Sequence, residues 1–217
     1  MKKWIAKILG STDAAAQPVS TEPPITDDEK TELSDLVHVR VTGGFDEKAD
    51  IRESALDYLH PRQWSAADRA WVDGEIDRQW SAKLHEQESW PPVTDFDRLD
   101  RVFTELRTQG LIALHCAGNT QSDGRDDTRQ FWDEAGGPQS GIDGAIFYHG
   151  QDVEHVVQDG SLYLAFGSFP NATRSAIDIA AQVVDALKSA GFDVKMPADE
   201  SQRILITGLK WQKRSPN

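Results

Sequence analysis

Leu111-Ile112-Ala113-Leu114-His115-Cys116 is a short apolar run between Gly110 and Gly118, and it leads directly into the polar stretch Gly118-Asn119-Thr120-Gln121-Ser122-Asp123-Gly124. A continuous apolar segment of this length between turn residues reads as a buried strand. The pattern recurs downstream, where Ala145 to Tyr148 is strand-like and leads into His149-Gly150-Gln151-Asp152. Between the two lies a helical stretch, Thr128 to Ala135, closed by Gly136-Gly137-Pro138. That is ample for a crossover between parallel strands, which brings both polar loops out at one sheet edge. Ligands of open α/β sheets sit outside the carboxyl ends of the strands. Asn119, Gln121, Ser122, Asp123, Tyr148, His149, Gln151 and Asp152 are therefore expected around one concavity.

Outward from this pair, the chain reads as follows. Asp152 to Val157 is a short helix and Ser161 to Phe166 a strand. Asn171 caps a helix that buries Ala176, Ile177, Ala180, Val184 and Leu187 and closes at Gly191. Val194 to Met196 and Arg203 to Leu209 form a final antiparallel pair. Upstream, Thr94 with Asp97 opens a helix whose Phe96, Leu99, Val102, Phe103 and Leu106 follow helical spacing, with Gly110 as its stop. Ser65 with Asp68 opens the longest helical signal, which runs to Glu88. Thr26 with Glu29 caps a helix to Val37, His38 to Thr42 alternates like a short strand before Gly43-Gly44, and Asp50 to Leu59 is a helix ended by Pro61. The expected fold is α/β or α+β, an about five-stranded mixed sheet with flanking helices and a helical N-terminal part. Residues 1–26 read as a basic tail and flexible linker, 27–92 as mainly helical, and 93–212 as the α/β core.

The chain has 217 residues, 38% of them apolar, with 23 basic against 36 acidic side chains, a net charge of −13. Such a field repels phosphate backbones and anionic lipid, so nucleic-acid and membrane-surface binding are disfavoured. One cysteine excludes an intramolecular disulfide and any multi-cysteine metal site. The opening, Met1 to Gly10, is interrupted by Lys7 and is too short for a secretory core, and no stretch is apolar enough for a span. A cytoplasmic protein without a membrane span is expected.

The two loops suggest chemistry without completing a motif. His149 beside Asp152 or Asp123 offers a general base with an orienting carboxylate, and Ser122 or Cys116 a nucleophile. Asn119, Gln121, Tyr148 and Gln151 would bind the ligand. Ser122 lacks the nucleophile elbow, and Cys116 lies in an apolar run, as a core residue would. Asn119, Gln121, Asp123 and Gly124 echo a calcium loop, yet Gln130 stands where the bidentate Glu belongs. No metal or other cofactor is indicated. Each residue also has a structural reading: Asp123 and Gly124 as turn formers, His149 as a strand-end group, Asp152 as the first-turn anion of a helix.

The pieces Ala117 to Gly124 (AGNTQSDG), Phe147 to Asp152 (FYHGQD) and Leu162 to Gly167, with Arg203-Ile204 and Trp211, resemble a bacterial family known as a domain of unknown function. The resemblance spans roughly residues 95 to 212 and implies a cytosolic setting without implying a mechanism. Two functions follow as expectations. The first is an acidic protein-binding module of antitoxin or immunity type, which neutralises a basic protein partner and uses some of the seven Trp as anchors. The second is a small hydrolase or ligand-binding enzyme that uses loops 118–124 and 148–152. A nucleic-acid mimic is a third, needing its acids arrayed along one face.

Overall fold

Five helices begin with one device, a Ser or Thr N-cap whose oxygen accepts the backbone N–H three residues on, while an Asp or Glu there accepts the cap's own N–H. The pairs are Thr26/Glu29, Ser65/Asp68, Thr94/Asp97, Thr120/Asp123 and Ser175/Asp178. In the computed structural model, which describes residues 23–215, these caps open α1 (Asp27–Gly43), α3 (Ala66–Gln87), α4 (Asp95–Thr108), α5 (Gln121–Glu134) and α7 (Ala176–Ser189). Helices α2 (Lys48–Tyr58) and α6 (Gly150–Asp159) complete the set. The basic tail and most of the linker expected at residues 1–26 lie outside the described residues.

Strands β1 (Leu111–Leu114), β2 (Gly144–Phe147), β3 (Leu162–Ser168), β4 (Asp193–Lys195) and β5 (Ile204–Thr207) form one mixed sheet in the order β1-β2-β3-β5-β4. β1 and β2 are parallel, with Leu114 opposite Phe147, and α5 lies in the crossover between them. The remaining pairs are antiparallel, including the final β4–β5 hairpin. Alternation along the strands separates two faces. Leu111, Ala113, Ile146, Leu162, Leu164, Ile204 and Ile206 pack with Leu99, Phe103 and Leu106 of α4 and Ile179, Val183 and Leu187 of α7. On the other face Ile112 and Ala145 meet Trp132 of α5. Each fully buried Leu, Ile or Phe contributes roughly 1.5–3 kcal/mol.

The helices before residue 92 have a second apolar core, Leu33, Val37, Val41, Ile51, Ala55, Val72 and Ile76, rimmed by Trp64, Trp71 and Trp80. The architecture is α+β with a helical N-terminal part. Among the described residues no helix is long and apolar enough to cross a membrane.

Three local expectations change. His38 to Thr42 is the last turn of α1, because Leu33, Val37 and Val41 continue one buried stripe at i+4 spacing; Gly44, at φ 75°, ends the helix. Asn171 sits in a left-handed turn at φ 66°, and Ser175 is the N-cap of α7. That later start turns Ile179 and Val183 fully inward and leaves Ile177 half-buried. The third change is in the polar loop at 118–124, half of which is the first turn of α5.

Candidate functional site

The parallel pairing brings the two polar segments together at the C-terminal edge of β1 and β2. Ala117 donates its N–H to Tyr148 O at 2.8 Å, Gly150 to Gly118 O at 3.1 Å and Gln151 to Asn119 O at 3.4 Å. Gly118 carries φ 59°, and a Cβ there would lie 2.3 Å from Cβ of Asp123, so the tight entry into α5 requires glycine.

At this edge the structure assigns the candidate side chains different work. The exposed Asp123 carboxylate accepts the N–H groups of Asn119 (3.1 Å) and Thr120 (2.8 Å), and those backbone bonds hold it below the usual carboxylate range. Asp152 is fully buried. Its Oδ2 accepts the His149 N–H at 3.1 Å, and its Oδ1 accepts Arg203 Nη1 at 2.7 Å. Arg203, just ahead of β5, was not singled out as a site residue, although it belongs to the quoted resemblance. His149 is 4% exposed; its Nε2 stands 3.1 Å from Asp152 Oδ2 and 3.3 Å from Arg203 Nη1, and its Nδ1 is enclosed without a hydrogen-bond partner. Burial, reinforced by the Arg203 charge, lowers the His149 pKa and keeps the ring neutral. Tyr148 is also fully buried, and its hydroxyl lies 2.8 Å from Nδ1 of His115, whose Nε2 meets Asp100 at 3.0 Å. Burial drives His115 down to about 4.

Ser122 and Gln151 are exposed and Gln121 is half-exposed. Among the described residues, no hydrogen bond joins Ser122 to His149. Cys116 sits at φ 49° after β1, and burial, with Asp46 nearby, pushes its thiol up to about 11. It is a thiol at neutral pH. Among the described residues no cluster of three or more His, Cys, Asp or Glu side chains is placed to hold a metal ion.

The open space adjoins this edge on the side of the N-terminal helices. A cleft of about 780 Å³ lies between Cys116, Gly118, Asn119 and Gly150 on the strand-end side and Arg40, Phe45, Asp46, Asp57 and Tyr58 on the α1–α2 side, with Glu154 of α6 completing the wall. It carries three carboxylates against one guanidinium. Arg40 is held by Asp46, with Nη1 3.4 Å from each oxygen; among the described residues Asp57 and Glu154 have no ion-pair partner. Tyr58 stands 51% exposed at the rim. Of the sequence-selected residues, Asn119 and Cys116 line this cleft. Its helical wall was missed, and the one local signal for it was the dense acidity of residues 46–57 beside Phe45 and Tyr58.

No curated relative and no solved structure matches the chain. A family model matches residues 26–215, so the likeness extends over the N-terminal helices that the quoted motifs left outside. Because that match takes in both walls of the cleft and nearly the whole chain, the protein belongs to the family described as Domain of unknown function (DUF6891).

Proposed function

We propose that this chain is a binding module for a basic protein partner, of the antitoxin or immunity kind, and that the cleft beside β1 and β2 receives basic side chains of that partner. The observation that carries the reading is the cleft itself: an acidic concavity with two unpaired carboxylates, Asp57 and Glu154, and a half-exposed Tyr58 on its rim. Carboxylates around a partly enclosed space favour a guanidinium or ammonium group, and a rim tyrosine supplies rigid contact area beside it. The net charge of −13 steers a cationic partner toward this surface and raises its association rate.

The test is calorimetric titration of the full chain with an arginine- and lysine-rich peptide, beside the double variant Asp57→Asn, Glu154→Gln. Binding should weaken by roughly tenfold at low salt, with the difference shrinking as ionic strength rises. Equal affinity of the two proteins would remove the cleft from the reading.

A second reading, binding of a small polar ligand with or without turnover, is favoured by Asn119 and Cys116 lining the same cleft at the strand ends, where α/β sheets hold ligands. Under it, Asn119→Ala, at an exposed position of the cleft wall, abolishes ligand binding or activity and leaves the melting temperature within a few degrees. Unchanged binding in that variant removes the strand-end wall from this reading.

A further inference from the structure

The C-terminal segment after β5 passes between the helical part and the sheet domain and is tied to both. Lys210 N–H donates to Asp95 Oδ2 at 3.0 Å, Trp211 Nε1 to Gly43 O at 3.2 Å, and Arg214 to Asp97 Oδ2 at 3.1 Å and Pro91 O at 3.0 Å. Between these ties, Lys213 places its ammonium over two aromatic faces, 4.6 Å from the centre of Phe45 and 5.1 Å from that of Phe96. The two rings are 6.1 Å apart at 71°, and Trp211 packs edge-on against Phe96 at 5.3 Å. Two roughly perpendicular rings around one ammonium make a cation-binding corner. Phe45 belongs at once to this corner and to the cleft wall. Among the described residues, no carboxylate lies within ion-pair distance of Lys213; Asp100 acts on it from farther off, and the two rings lie directly under its ammonium.

We infer that Phe45 and Phe96 form a cation subsite continuous with the acidic cleft, that Lys213 fills it in cis, and that a basic side chain of the partner competes with Lys213 for it. The inference rests on the binding reading above and adds its regulation: the chain's own tail sets the threshold a partner must overcome. A partner that presents several cations gains the subsite as well as the cleft, whereas one that presents a single cation meets an occupied corner. Lys213 thereby discriminates by the number of basic groups presented.

The test uses the full chain and a fluorescein-labelled arginine-rich peptide, followed by anisotropy, with Lys213→Met and Lys195→Met compared. Both variants lose one positive charge, so the net charge changes equally; Lys195, in β4, is away from the cleft, and the Lys213 proton shifts separate displacement of Lys213 from loss of its nearby charge. Methionine keeps the apolar stem of Lys213 over the rings. Lys213→Met should bind at least about threefold more tightly than Lys195→Met. In parallel, the ε-methylene protons of Lys213, shifted upfield by the two rings in the free protein, should return toward their ordinary position at saturating peptide. Equal gain in the two variants, or ε-protons that stay shifted at saturation, overturns the competition and leaves the cleft reading standing. Absence of peptide binding in all three proteins overturns both.

Discussion

Replacing Arg203 by Met tests how the strand-end edge is held together. The guanidinium supports a carboxylate with no solvent exposure: Asp152 Oδ1 accepts Arg203 Nη1 at 2.7 Å, and the Arg203 side chain is itself only 26% exposed. Removing one partner of a buried pair costs about 3–5 kcal/mol. Asp152 keeps the His149 N–H, which places the expected loss near the lower end, about 3 kcal/mol at pH 8. The pH dependence is the sharper signature. In the wild type burial and Arg203 depress the His149 pKa, so the unfolded chain binds the proton more readily, and stability falls as pH drops below ~6.5. In the variant the opposing charge is gone, and Asp152 Oδ2, 3.1 Å from Nε2, draws a proton onto the ring. The folded pKa of His149 then rises relative to that of the wild type, and acidification below ~6.5 costs the variant less stability. The gap between the two proteins should therefore shrink on acidification, by ~1.4 kcal/mol for each unit by which the two folded His149 pKa values differ. Urea unfolding at pH 8.0, 6.5 and 5.5 measures it; at ~2 kcal/mol/M, the pH 8 loss is a midpoint shift of roughly 1.5 M. A loss under about 1 kcal/mol, or a gap that widens toward pH 5.5, would refute the buried charge network.

Two further perturbations probe packing and burial. Gly124→Ala should cost about 1–3 kcal/mol, because the new Cβ would fall 2.3 Å from the Phe147 ring and 2.9 Å from Ala117 O. Gly74→Ala in the exposed middle of α3 meets nothing within 4 Å and should stabilise by ~0.5–1 kcal/mol; thermal melts of the pair give both signs in one experiment. Lys83 is buried with its ammonium 2.7 Å from Val41 O, and burial lowers its pKa to about 7 from 10.5. The unfolded chain then holds this proton more readily between those values. Its contribution is complete above the unfolded value and is lost as pH falls toward about 7. Because the Val41 and Thr42 carbonyls favour the ammonium, the expected gain from pH 7 to pH 9.5 is about 1–2 kcal/mol, and Lys83→Met should abolish it in urea midpoints.

The sheet was legible because its signals are local. LIAL and GAIF are apolar runs between glycines, and the residues between them suffice for a crossover, so the parallel β1–β2 pair followed from connection rules. Thr94 with Asp97 and Ser65 with Asp68 announced two helix starts outright. The same signature at Thr120 and Asp123 was submerged in a run of polar residues that also reads as a turn. At His38 to Thr42 the alternation of Val39 and Val41 imitates a strand, and only the tertiary stripe from Leu33 decides for helix. The strand-end edge was legible as a place, while the duties of its side chains were not. That Asp152 pairs with Arg203, 51 residues away, and that Asp57 and Tyr58 face Asn119 across the cleft are products of long-range packing. Lys213 over Phe45 and Phe96 is of the same kind, since its partners come from segments more than a hundred residues earlier.

The most direct measurement is amide chemical-shift mapping of the full chain during titration with an arginine-rich peptide. Progressive shifts should concentrate at Asp46, Asp57, Tyr58, Asn119, Gly150 and Glu154, the walls of the acidic cleft. Shifts spread evenly over the other acidic helices, such as α3 and α5, with these six positions unmoved at saturation, would contradict a cleft that receives basic side chains.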